Sequence, residues 1–136
     1  IACMKKSIEK AGIKPEEVDY INTHGTSTPK GDVIETKAIH TLFGDYAGKL
    51  AISSTKGSTG HMMGAGGIIE TIACVKSVQD DIVPPTLNLD NPDPECDLDY
   101  VPNVARKQTV NIAMSNAFGF GGQNSSILVK KYNWGN

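Results

Sequence analysis

Apolar residues recur along this chain with two different periods, and the switches between them predict its elements. Ile1, Met4 and Ile8 share one stripe of a helix over residues 1–11, with Lys5, Lys6, Glu9 and Lys10 elsewhere, and Gly12 stands where a left-handed cap would close it. Lys14-Pro15-Glu16-Glu17 reads as a turn, and residues 18–23 as a short strand. A second helix is expected over residues 32–43. Asp32 is its predicted N-cap and Glu35, three residues on, the reciprocal partner in a capping box. Its predicted buried stripe is Ile34, Ala38 and Leu42, joined by Ile39 and Phe43, and Gly44 ends it.

Residues 50–53 form a second predicted strand. A third helix starts at Met62 or Gly64 and ends near Val78, and its segment 68–75 is apolar nearly all round, which predicts a central, enclosed helix. Residues 83–102 carry Pro84, Pro85, Pro92, Pro94 and Pro102 among Asp and Asn, the pattern of an extended surface excursion. Val110, Ile112 and Met114 alternate in a strand over residues 109–115, and Ile127, Leu128 and Val129 lie in another over residues 125–132. A glycine-rich turn between them predicts antiparallel pairing. The order is helix, strand, helix, strand, helix, then two closing strands, an α/β unit with a mixed sheet packed by helices.

At 136 residues the chain is one domain, and a formal charge of −2 with no basic block argues against nucleic acid or an anionic membrane as partner. No apolar run reaches the length of a membrane-spanning helix. Cys3, Cys74 and Cys96 are widely spaced, suit a reducing compartment and give no zinc pattern, so no metal site is expected. Asn124-Ser125-Ser126 is read as a chance glycosylation sequon. A chain that opens inside a helix without an initiator Met is expected to be a piece of a longer protein.

Two histidines carry the chemistry. His24 sits in Asn22-Thr23-His24-Gly25-Thr26-Ser27-Thr28, and His61 ends Ser54-Thr55-Lys56-Gly57-Ser58-Thr59-Gly60-His61. Each run follows a strand and leads toward a helix, which places both imidazoles on the same end of the sheet. Gly25 and Gly60 permit close backbone approach, and Thr26 and Thr28 offer hydroxyls. Two neutral imidazoles donating N–H to one oxygen would stabilise developing negative charge. Glu70 is the only formal charge between Lys56 and Lys76, inside the apolar helix, and so needs a partner. Lys56 is the expected one, either as a purely structural pair or as a pair that orders the histidines. His40 reads as a surface residue. The glycine runs 64–67 and 119–122 complete neither a dinucleotide nor a P-loop motif. Asn116-Ala117-Phe118-Gly119-Phe120-Gly121-Gly122 reads instead as a tight turn presenting backbone N–H groups between two aromatic rings.

These three motifs, in this order and with the proline-rich Val83-Pro84-Pro85-Thr86-Leu87-Asn88, resemble the β-ketoacyl-acyl-carrier-protein synthases, condensing enzymes of the thiolase fold. The resemblance covers essentially the whole chain, and glycine after His24 is closer to the type II enzymes. It implies the C-terminal half of a layered thiolase-like fold over residues 1–136. It also implies decarboxylative Claisen condensation of malonyl carrier protein with an acyl-enzyme thioester. His24 and His61 would bind the malonyl thioester oxygen, and Lys56, paired with Glu70, would order the site. The backbone N–H of Phe118 would supply half of an acyl oxyanion hole and its ring would gate the acyl pocket, with Phe120 lining the substrate site. Thr26 and Thr28 would bind the phosphopantetheine arm. The implied partner is acyl carrier protein, bearing malonyl and acyl thioesters. No separate cofactor is implied. A homodimer is implied, and a cytoplasmic location, with mitochondrion or plastid as alternatives.

One departure is decisive. The family's nucleophilic cysteine is expected upstream of Ile1, because none of Cys3, Cys74 and Cys96 has the setting of an activated thiolate. The fragment alone is therefore expected to be inactive. A thiolase would need a C-x-G turn, which none of the three cysteines makes, and a type III synthase would carry asparagine at His61. A polyketide ketosynthase domain and a non-catalytic partner subunit resembling a chain-length factor remain the alternatives.

Overall fold

The computed structural model describes residues 1–132. Helix α1 spans Ala2–Ala11 and closes on Gly12 at φ 64°, a conformation that glycine adopts without a Cβ penalty. Strand β1 (Tyr20–Asn22), helix α2 (Gly31–Phe43) and strand β2 (Ala51–Ser53) follow, then a one-turn helix α3 (Lys56–Thr59) and the long helix α4 (Gly66–Asp80). A two-residue ribbon, β3 (Ile82–Val83) with β4 (Arg106–Lys107), brackets the proline-rich excursion, and β5 (Ile112–Phe118) and β6 (Asn124–Lys130) close the chain. The main sheet has the order β2-β1-β5-β6. β1 runs parallel to both β2 and β5, and β6 runs antiparallel to β5, with Ser115 opposite Ile127 and Phe118 opposite Asn124. The mixed sheet and the closing hairpin are as the sequence predicts.

Period-2 alternation sorts the strand side chains into two cores. Ile21, Ile52, Ile112 and Met114 face one way, against Met4 and Ile8 of α1 and Ile39 and Phe43 of α2. Tyr20, Ala51 and Ala113 face the other way, against Cys74 and Val78 of α4 and Val83, Val101 and Val110. The result is three layers, helix–sheet–helix, with β1 and β2 buried on both faces, as parallel strands require.

Three expectations fail on details of helix geometry. Asp32 is not the N-cap of α2, because the helix already starts at Gly31, whose N–H is met by Thr28 Oγ1 at 3.1 Å. The predicted stripe fails at Ile34, which is 64% exposed, and Val33, Glu35 and Thr36 are buried instead. Ile39 and Phe43 are buried and Ala38 and Leu42 pack half-buried against the core, as expected. Helix α4 is not enclosed. Glu70, Cys74, Ser77 and Val78 face the sheet, but Ile68, Ile72 and Val75 lie on an open face, 60%, 50% and 44% exposed.

Candidate active site

Because β1, β2 and β5 are mutually parallel, their C-terminal ends lie on one edge of the sheet, and the three motifs leave from that edge. His24 follows β1, Lys56 and His61 follow β2, and Phe118 ends β5. The imidazoles of His24 and His61 meet edge to face with centroids 5.7 Å apart, and the Phe118 ring lies 5.7 Å from His24 on another side. Side chains separated by 37 and 94 positions in sequence thus converge, as the motif order predicts.

The protonation states of the two imidazoles are constrained differently. Burial, then the positive charge of Lys56, then His61 push the His24 pKa down to about 4, so His24 is neutral near pH 7. Its Nδ1 is buried without a hydrogen-bond partner among the described residues. His61 is exposed, and its Nδ1 accepts the Met63 N–H at 3.1 Å. A nitrogen that accepts carries no proton, so neutral His61 must hold its proton on Nε2, where it can donate.

Lys56 Nζ forms a buried ion pair with Glu70 Oε1, the two side chains being 8% and 4% exposed. The predicted pair therefore exists, with Lys56 opening α3 rather than sitting in a loop. The pairing leaves the Lys56 charge close enough to His24 to oppose its protonation.

Two carboxylates that the sequence assigns to helix capping hold the His24 loop instead. Glu35, 5% exposed, accepts the backbone N–H groups of His24 and Gly25, one on each oxygen, both at 3.1 Å, and Asn116 Nδ2 donates to it at 3.1 Å. Burial raises the Glu35 pKa, and these three donors work against that rise. Asp32 Oδ1, one turn earlier, accepts the Ser27 N–H at 3.2 Å. The i, i+3 spacing read as a capping box is thus a pair of carboxylates gripping residues 24–27. A signal was present in the sequence: Glu35, Ile39 and Phe43 share an i, i+4, i+8 row, which places Glu35 on the buried face. Asn116 is fully buried, and its Oδ1 accepts from Ser126 Oγ, so β5 and β6 brace the same carboxylate.

Thr28 lines a cavity of about 360 Å³ beside the loop, together with Gly25, Asp32, Leu89 and Tyr100. Thr26 is half-buried beside it. Phe120 stands fully in solvent, while Phe118 is half-buried against His24. His40 is a surface residue as expected, 2.7 Å from Asp97. The Cys74 thiol is buried and pushed up to about 12 by burial, and burial also raises Cys96; Cys3 is half-buried on α1. Neither Cys74 nor Cys96 is an activated thiolate.

Known proteins match this chain along most of its length. Residues 1–90 fit the family model of the β-ketoacyl synthase C-terminal domain. The chain is 56% identical over 129 residues to 3-oxoacyl-[acyl-carrier-protein] synthase 2 of Coxiella burnetii and 55% identical over 126 residues to that of Synechocystis. These matches cover 95% and 93% of this chain but 31% and 30% of those proteins, so it spans about a third of their length. Among solved structures, a β-ketoacyl synthase from Burkholderia phymatum superposes with a TM-score of 0.89 at 37% identity, over 96% of this chain and 31% of that one. A ketosynthase assembly of a type II polyketide system, described as an acyl-carrier protein in complex with its ketosynthase, gives 0.94 at 36% identity over 97% of this chain and 32% of that one. With its thiolase-like layers and its paired histidines at the sheet edge, the chain belongs to the β-ketoacyl synthase family and carries its C-terminal domain.

Proposed function

We propose that this chain is the malonyl-activating part of a fatty-acid condensing enzyme, a β-ketoacyl-acyl-carrier-protein synthase. The observation that carries this reading is the convergence of His24 and His61, one held neutral by its surroundings and the other with its proton directed to Nε2. In the condensing enzyme a cysteine outside this chain holds the acyl group as a thioester. Malonyl carrier protein loses CO2 when its carboxylate–carbon bond breaks, and the electron pair moves onto the thioester oxygen as an enolate. N–H groups of His24 and His61 stabilise that oxygen. The enolate carbon then attacks the acyl carbonyl, forming the new carbon–carbon bond and releasing the cysteine thiolate.

Burial, with the Lys56 charge beside it, keeps His24 neutral, while Glu70 balances that charge. Half of the acyl oxyanion hole is assigned, as expected, to the backbone N–H of Phe118. The gate of the acyl pocket, expected at the Phe118 ring, is assigned instead to Phe120, because the Phe118 ring packs against His24. The Phe118 ring lies against His24, whereas the Phe120 ring stands in solvent. Thr28 borders a cavity fit for a phosphopantetheine arm, with Thr26 beside it. Acyl carrier protein is the partner, in keeping with the polyketide assembly that superposes on this chain. The names of the Coxiella and Synechocystis relatives favour fatty-acid over polyketide substrates. We place the enzyme in the cytoplasm as a homodimer; three free cysteines suit a reducing compartment.

The test is made on the intact enzyme. His24→Ala and His61→Ala should each slow CO2 release from malonyl carrier protein by about 10²–10³-fold, the usual effect of removing one oxyanion donor. Acyl loading of the cysteine should survive in both. Undiminished CO2 release in both variants would overturn the reading.

A further inference from the structure

Ser54 occupies the point where the two histidine loops touch. Strand pairing between β1 and β2 runs out where the Thr23 N–H meets the Ser53 carbonyl at 2.9 Å. One residue on, Ser54 Oγ donates to the Gly25 carbonyl at 2.7 Å and accepts the Lys56 N–H at 3.4 Å. The residue is only 8% exposed, and its own N–H donates to Thr86 Oγ1 at 3.1 Å, which ties it to the proline-rich excursion. The contact is as close as backbone allows. Gly25 has φ +39°, and a Cβ there would lie 2.7 Å from the Ser54 Cβ and 2.6 Å from Thr23 Oγ1. One hydroxyl therefore joins the residue after His24 to the residue that opens α3, five positions before His61.

We propose that Ser54 is a positioning residue that sets the spacing of the His24 and His61 imidazoles by holding the Gly25 carbonyl against the Lys56 amide. It touches no reacting atom and acts through the two loops. Without its hydroxyl the Gly25 carbonyl loses its partner, water enters between the loops, and Lys56 and His61 drift from His24. The groups that face His24 are Lys56 and His61, Glu70 of α4 through Lys56, Phe118 of β5, and Glu35 and Asp32 of α2 behind its loop. Burial, Lys56 and His61 are what depress His24, so loosening the loops moves its protonation back toward the ordinary histidine range. The proposal rests on the decarboxylation reading above, in which neutral His24 is the working form.

The experiment is the pH profile of CO2 release from malonyl carrier protein by the intact enzyme and its Ser54→Ala variant. Loss of one buried hydrogen bond should lower kcat by about tenfold with KM changed less than about twofold. The acid-side midpoint should move up by about one pH unit. Ser54→Thr, which keeps the hydroxyl, should hold the wild-type midpoint. That midpoint reads only active molecules, so a loss of folded protein does not imitate the shift. An unmoved midpoint in Ser54→Ala overturns the proposal whatever the loss of rate. If His24→Ala and His61→Ala still slow decarboxylation as stated above, the proposal alone has failed; if CO2 release is undiminished in both, the functional reading has failed with it.

Discussion

His24 is held neutral by burial first and by the neighbouring Lys56 charge second. Lys56 helps to keep His24 neutral, and it can do so from a buried position only because Glu70 balances it. Lys56→Ala should therefore cost about 3–5 kcal/mol in urea denaturation, because it strands the Glu70 carboxylate. The double variant Lys56→Met with Glu70→Leu should recover most of that stability without recovering CO2 release. Recovery of both would reduce the pair to a structural one. His24 also makes a pH prediction. Its pKa is lowered in the folded chain, so between about 4 and the unfolded value near 6.5 the unfolded state binds more protons. Its contribution to stability is complete above that window and is lost as pH falls through it. Wild type should thus lose stability from pH 7 to pH 4.5 more steeply than His24→Gln, as measured by urea midpoints. Histidines and lysine were legible as residue types in glycine-rich runs. The carboxylates at 32 and 35 were not, because an acid three residues after a helix start satisfies a capping pattern equally well.

At the level of elements, period and length decided what could be foreseen. Helix α1, the two short parallel strands and the closing hairpin follow from apolar periodicity and turn residues. The first residue of the α2 stripe did not, because Val33 and Ile34 are adjacent apolar residues and only tertiary packing selects between them. The two-residue strands β3 and β4 are too short to leave a pattern, and α3 is a single turn inside a glycine-rich run. The exposure of Ile34 has a direct consequence. Ile39→Ala, fully buried against Ile21 and Phe43 in one core, should cost about 2–5 kcal/mol. Ile34→Ala, on the exposed side of the same helix, should stay within about 0.5 kcal/mol. Urea titration of both variants separates the two faces.

Across the whole molecule, the sheet edge is what makes a site out of dispersed motifs. Three parallel strands deliver His24, the Lys56–His61 segment and Phe118 to one place, and α2, β5 and β6 brace the first of these from behind. The layered α/β class and the convergence of the motifs were legible because strand ends in parallel sheets collect chemistry. The open face of α4 was not, because a helix apolar on all sides gives no sign of how much of its surroundings lies in the same stretch of chain. The central proposal is that the imidazoles of His24 and His61 donate to one thioester oxygen. Its most direct test is a crystal structure of the intact condensing enzyme bound to a malonyl thioester analogue that cannot decarboxylate. The thioester oxygen should lie about 2.7–3.2 Å from a ring nitrogen of both His24 and His61. An oxygen that reaches neither histidine, with the malonyl group bound elsewhere on the sheet edge, would contradict the account.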